Sequence, residues 1–182
     1  GTYRFLGRYW RLCVDETDGK FALSARVKDV PESSWAGPLV VAYHKAIAQV
    51  GGDIEKMSFN TAISALMTLM NEAYLAFGEE NPIPRTFVDT FTRLLAPFAP
   101  HLAEEVWELL GHKEGISRAP WPTFDASKTI EREMELAVQV NGKLRDTVKV
   151  STDISEGDLR VLVLGLANVQ KWMDGKEPKK FI

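Results

Sequence analysis

The stretch from Leu94 to Trp107, LLAPFAPHLAEEVW, constrains the fold more than any other part of the chain. Pro97 and Pro100 stand three residues apart in it. Proline lacks the N–H that a helix interior uses, and its ring clashes with the preceding turn. The residue before it is pushed out of helical dihedrals. One helix must therefore end near Pro97, and another must begin just after Pro100. Leu94, Leu95 and Phe98 lead into this corner; Leu102, Val106 and Trp107 lead out of it. Apolar side chains on both arms predict a corner sunk in a helical core. No catalytic group stands out there.

Helical spacing recurs before the corner. Residues 2–14 put Phe5, Tyr9 and Leu12 on one face, with Leu6 and Cys13 beside them. Arg4, Arg8 and Arg11 follow one another at plus four and plus three, a stripe on a different face. Residues 15–38 are mostly polar, and DETDGK and PESSWAGP read as turn-rich connectors. Leu39, Tyr43, Ile47 and Val50 predict a second helix over 39–50, ended by Gly51 and Gly52. Asp53 is expected to cap a third helix that runs to Phe77. Its stripe of Phe59, Ile63, Leu66, Met70, Ala73 and Phe77 never departs from steps of three or four. Gly78, Pro82 and Pro84 close it. Residues 85–97 and 101–110 supply the fourth and fifth helices. Residues 111–133 form a connector in which Trp121, between Pro120 and Pro122, is expected to cover an apolar edge of the bundle.

After residue 133 the period falls to two. Leu136, Val138 and Val140 alternate with polar residues, as do Leu144, Val148 and Val150 farther on. Asn141-Gly142 between them is a strong hairpin signal, because both turn residues need positive φ. Helical spacing returns over 155–173, with Ser155 and Asp158 resembling a capping box. Lys179 to Ile182 look like the start of a strand. A hairpin and one helix over about 50 residues make a thin core. The expectation is therefore a chain that stops before the last strand of this module. The fold class is mainly α. A five-helix bundle spans 1–120, a connector 121–133, and a small truncated ββα module 134–182.

The 182 residues carry a net charge of −3 and are 45% hydrophobic, enough for a packed core. No apolar run approaches the roughly 20 residues that cross a bilayer. Cys13 is the only cysteine, so no intrachain disulfide can form, which fits a reducing cytoplasm. The charge is uneven: residues 1–28 sum to +3, residues 29–140 to −8, residues 141–182 to +2. A polyanion would meet the two ends rather than the middle.

Most chemical motifs are absent. There is no phosphate-binding G-x-x-x-x-G-K-S/T, no G-x-G-x-x-G and no G-x-S-x-G. His101 with Glu104 and Glu105 lacks a second histidine at metal-ligand spacing, so a capping or half-buried role is expected. Lys56-Met57-Ser58 is followed by Phe59-Asn60 rather than by glycine or another lysine, and reads as helix sequence. Two constellations remain. The Arg4, Arg8, Arg11 stripe is either a solvated helix face or a row of guanidiniums set for phosphates. The tip Asn141-Gly142-Lys143-Leu144-Arg145 is either a plain hairpin or a second cationic contact, with Lys143 and Arg145 on the face opposite Leu144.

Several stretches resemble one family. RFLGRYWRL (4–12), FNTAISALM (59–67), FVDTFTRLLAPFAPHLAEEVW (87–107) and Trp121-Pro122 resemble the helical anticodon-binding domain of class I aminoacyl-tRNA synthetases, shared by the leucine, isoleucine, valine and methionine enzymes. MELAVQVNGKLR (134–145) resembles the small C-terminal domain of bacterial-type leucyl-tRNA synthetases; the isoleucine and valine enzymes end differently. The resemblance covers nearly the whole chain. It implies a parent ligase that joins leucine to tRNA(Leu) with ATP and magnesium in the cytoplasm. The catalytic HIGH and KMSKS motifs and the editing domain are not in these residues. The resemblance therefore implies no catalytic residue, metal or cofactor here, and no activity for these residues alone. Its implied partners are tRNA(Leu) and the catalytic and editing domains of the parent, with no membrane and no DNA. Arg4 and Arg8 match the arginines of the family's RFLxR helix, and Lys143 and Arg145 its NGKLR tip. Both pairs, with Arg11, are expected tRNA contacts, by charge and shape rather than by base reading. A protein-interaction module packing on a partner domain is the alternative.

Overall fold

The computed structural model describes residues 1–130, 133–152 and 154–173. The expected strand at Lys179–Ile182 lies outside them. The chain forms two compact units, Gly1–Ile130 and Glu131–Ile182. The connector residues 121–130 thus belong to the first unit.

The first unit is the expected helical bundle. Its helices are α1 (Thr2–Cys13), α2 (Gly37–Glu55), α3 (Phe59–Phe77), α4 (Arg85–Leu95) and α5 (Pro100–Leu109). α1 buries Phe5, Tyr9, Leu12 and Cys13, the stripe its spacing predicts. The proline corner is built as the sequence requires. α4 ends at Leu95, the amides of Phe98 and Ala99 both return to the Leu95 carbonyl, and Pro100 opens α5, where its missing N–H costs nothing. Leu94, Leu95, Val106 and Trp107 are buried at this corner.

One core runs through the unit. Phe91 stacks on Tyr9 at 4.7 Å and also meets Phe5 and Phe87; Phe87 continues to Phe77 and Tyr43. Tyr9 is fully buried, but its hydroxyl is satisfied by Thr92 Oγ1 at 2.5 Å. Thr92 in turn donates to the Val88 carbonyl at 2.6 Å. Tyr43 repeats this pairing with Thr90 at 2.8 Å. Each buried hydroxyl has a partner, as buried polar groups must.

Three details differ from the sequence expectation. First, residues 15–38 are not only connector. β1 (Val14–Thr17) and β2 (Lys20–Leu23) form an antiparallel hairpin, and β3 (Val27–Lys28) lies parallel to β4 (Ile83–Pro84). The turn is Asp18-Gly19, both at positive φ, the same chemistry as an Asn-Gly turn. Second, Gly51 and Gly52 do not end α2, and Asp53 does not start α3. A Cβ on Gly51 would stand 3.2 Å from Trp121 Nε1, so this glycine lets the indole lie on the helix rather than stopping it. The stop comes at Lys56-Met57-Ser58. Met57 takes a φ of 58°, its amide bonds to Ile54, and the Ser58 amide reaches the Asp53 carbonyl at 2.8 Å. That is a Schellman cap with methionine in glycine's place. Third, the helix expected over 155–173 is two helices.

The second unit holds β5 (Glu133–Val140), β6 (Lys143–Ser151), α6 (Glu156–Gly165) and α7 (Ala167–Met173). Asn141 and Gly142, with φ of 53° and 72°, make the hairpin turn. The Ser155 hydroxyl caps α6 by accepting from the Asp158 amide. Leu166 leaves helical dihedrals, with φ −68° and ψ 127°, and separates α6 from α7. The break lets Leu166 and Val169 join Val138 and Val163 in a small core.

Candidate nucleic-acid interface

Arg4, Arg8 and Arg11 share one stripe of α1, but their surroundings differ. Arg8 is held from three directions against α3. Its Nη1 donates to Asn71 Oδ1 at 2.8 Å, its guanidinium lies 4.5 Å from the Tyr74 ring centre, and the Tyr74 hydroxyl donates to its own carbonyl at 2.8 Å. Such a group has one orientation rather than many, which lowers the entropy that any further contact would cost. Arg4 and Arg11 are exposed and have no ion-pair partner among the described residues. Gly7 leaves room for Arg11 to fold back along the helix; a Cβ there would touch Arg11 Nη1 at 3.4 Å. The stripe therefore offers one fixed guanidinium between two exposed ones, with no carboxylate pairing them off among the described residues.

The hairpin tip of the second unit has a related design. The register shifts between Val138 and Gln139, which pairs Asp146 with Val138 but Leu144 with Gln139. Arg145 is the extra residue of this bulge. Its guanidinium lies 3.5 Å from the ring centre of Trp172 on α7, with Nε buried and unpartnered. Lys143, opposite Val140, is exposed, and so is Leu144. Each unit thus carries an arginine against an aromatic ring with exposed cationic side chains nearby: Arg4 and Arg11 beside Arg8, Lys143 beside Arg145. The α1 stripe lies in the first unit and the hairpin tip in the second.

Other polar clusters are clamps, and single residues in the sequence did not announce them. Arg26 donates to the carbonyls of Phe77, Gly78 and Asn81 at 2.8–3.1 Å, so its charge closes the C-terminal end of α3. Glu32 accepts from Lys128 at 2.5 Å and from His44 Nε2 at 3.2 Å, while His44 Nδ1 accepts the Asp125 amide at 3.1 Å. These bonds lock residues 125–128 onto α2 and fix His44 as the Nε2–H tautomer. Burial alone would raise the Glu32 carboxyl, but the bonds from Lys128 and His44 outweigh it and hold it below its usual range. The bond to Glu32 raises the Lys128 ammonium. Burial pushes the Cys13 thiol up to about 12, which leaves it unreactive near neutral pH. Glu104 accepts the Ile116 amide and so ties down the loop that follows α5, while His101 is exposed rather than half-buried.

Residues 39–162 match the family described as the anticodon-binding domain of tRNA ligase. Among solved structures, the chain is similar to one described as the ternary complex of Agrobacterium radiobacter K84 agnB2 LeuRS-tRNA-LeuAMS. Identity is 28% and the TM-score 0.57, over 98% of this chain and 22% of that one. The chain thus spans about a fifth of the length of that relative. No described helix is long and apolar enough to cross a membrane.

Proposed function

The chain belongs to the anticodon-binding domain family of tRNA ligases, and from that membership we propose that it is the tRNA-binding part of a leucine–tRNA ligase. The observation that carries this is the α1 stripe: Arg8 fixed by Asn71 and Tyr74, flanked by exposed Arg4 and Arg11. Guanidiniums one helical turn apart suit successive phosphates of one strand, and they need no base contacts. Lys143 and Arg145 add a second cationic contact at the hairpin tip. The similarity to a leucyl enzyme complexed with tRNA supports the choice of leucine.

The chemistry would belong to the rest of the parent chain, which would use ATP and magnesium to join leucine to tRNA(Leu). This part would orient the tRNA for the catalytic and editing domains, without catalysing a step alone. Exposed Trp121 and Phe124 favour a second task beside the first, packing on a neighbouring domain of the parent. A gel-shift titration with leucine tRNA, against a tRNA lacking the long variable arm, tests the reading. Retarded leucine tRNA, weakened by Arg4→Ala with Arg8→Ala, is expected. Equal binding by the double variant would refute the α1 contact.

A further inference from the structure

A cleft of about 420 Å³ opens between α4, α5 and the loop that follows α5. The stripe on α1 contributes nothing to it. Its back wall is a pair of flat rings: His112 lies on Trp107 with centres 3.5 Å apart and planes 12° from parallel. Both rings are oriented by hydrogen bonds. His112 Nε2 meets Asp89 Oδ2 at 2.8 Å, and Trp107 Nε1 donates to the Glu114 carbonyl at 2.9 Å. Asp89 is held in turn by Arg93 Nη2 at 2.5 Å, and Arg93 Nη1 donates to the Pro120 carbonyl at 3.1 Å. The wall is therefore set before any ligand arrives.

Three features go beyond what packing the loop requires. The side chain of His112, stacked on Trp107 on one face, lines the cleft and remains 38% exposed, which leaves room for a second flat ring. Arg93 Nε–H is buried with no acceptor, and a buried donor without a partner is costly. Lys113 and Arg118 stand exposed among the lining residues, and the Arg118 contact with Glu114 is a long 3.9 Å surface pair that exchanges easily. A planar ring fits the first feature, a ring or sugar acceptor the second, an anion the third. The volume lies in the range of small-molecule pockets.

We propose that this cleft binds one nucleoside monophosphate unit, its base stacked on the face of His112 away from Trp107 and its phosphate against Lys113 and Arg118. Arg93 Nε–H then donates to an acceptor on the base or ribose. Every base has a π-face, so stacking alone tolerates any of the four. The unit comes either from a free nucleotide or from an unpaired nucleotide of a bound RNA; the second source rests on the tRNA-binding reading above.

The test is an NMR titration of the whole chain with AMP, GMP, CMP and UMP, followed at the His112 ring and the Trp107 indole N–H. Saturable shifts of both are expected. His112→Ala should weaken binding at least about fivefold, the low end for losing one base–aromatic stack. His112→Phe keeps a flat ring and should retain binding, which separates stacking from damage to the loop. Lys113→Ala with Arg118→Ala should weaken the monophosphates but not the nucleosides. Ultraviolet cross-linking of bound leucine tRNA to the peptide holding His112, competed by free nucleotide, identifies RNA as the source; nucleotide binding without that cross-link identifies a free nucleotide. No shift of either ring at saturating nucleotide, with no cross-link, overturns the proposal even if the tRNA binds. Nucleotide binding in a chain that ignores tRNA instead overturns the tRNA reading and leaves the cleft.

Discussion

The two units hold an arginine against an aromatic ring in the same way but on unequal foundations. Arg8 rests on Tyr74, whose helix is packed into a core running from Phe5 through Phe91 to Trp107. Arg145 rests on Trp172, whose helix is tied to its hairpin mainly by Val138, Val163 and Val169. Trp172 itself is 50% exposed. A cation–aromatic contact positions a charge only as firmly as the ring is positioned. The bundle therefore holds its guanidinium firmly, whereas the hairpin unit holds its own only as firmly as a thin core holds α7. Local opening starts where few apolar groups are buried, so exchange of backbone amides should be faster in the second unit.

Deleting a core ring widens that contrast most. Phe91→Ala removes the side chain that joins Tyr9, Phe5 and Phe87, and should cost the first unit about 3–5 kcal/mol. Denaturant melts should show this loss in the bundle while the hairpin amides keep their protection. Val169→Ala removes far less, about 1.6 kcal/mol for two methylene equivalents. In so thin a core it should abolish hairpin protection and leave the bundle's melt unchanged. If the two units instead melt together in both variants, they are one cooperative body and the contrast fails.

Smaller changes sharpen the comparison. Gly142→Ala forces a side chain into a φ of 72° and should cost the hairpin about 1 kcal/mol, read from the same exchange experiment. Glu32→Gln probes the clamp of residues 125–128. The Glu32 carboxyl is held below its usual range in the folded chain. Its stabilising share is thus present above about pH 4.3 and lost as pH falls through the lowered value. Thermal melts of Glu32→Gln should be less stable than wild type at neutral pH and converge with it in acid; curves that stay parallel would remove Glu32 from the clamp. Trp172→Ala should weaken tRNA binding by about 0.5–1 kcal/mol, the worth of an exposed cation–aromatic contact. No change would make Arg145 a bystander.

The same contrast sets how much could be read in advance. Strict spacing of large apolar residues marked α3, and two prolines marked the α4–α5 corner, because both signals are local. The hairpin at Asp18-Gly19 carried its own turn signal, yet exposed Lys20, Phe21 and Ala22 lack the clear alternation that marked β5 and β6. Gly51 misled because its purpose is to admit Trp121, seventy residues away in sequence. The cationic candidates Arg4, Arg8, Arg11, Lys143 and Arg145 were visible as charges at helical or hairpin spacing. The aromatic supports of Arg8 and Arg145 were not, since Tyr74 and Trp172 come from other elements. Nothing in the spacing around His112 points to Asp89, which lies 23 residues earlier, and only folding brings Asp89 and Trp107 against its ring.

Arg4 and Arg11 are exposed and have no ion-pair or side-chain hydrogen-bond partner among the described residues, so replacing them should isolate their charge. Binding of leucine tRNA to the wild type, measured from about 50 to 200 mM salt, should fall with a log–log slope of about −3 to −4 for roughly four phosphates. Arg4→Ala with Arg11→Ala should flatten that slope by about 1.5–2. An unchanged slope with equal affinity would mean that the stripe on α1 touches no phosphate.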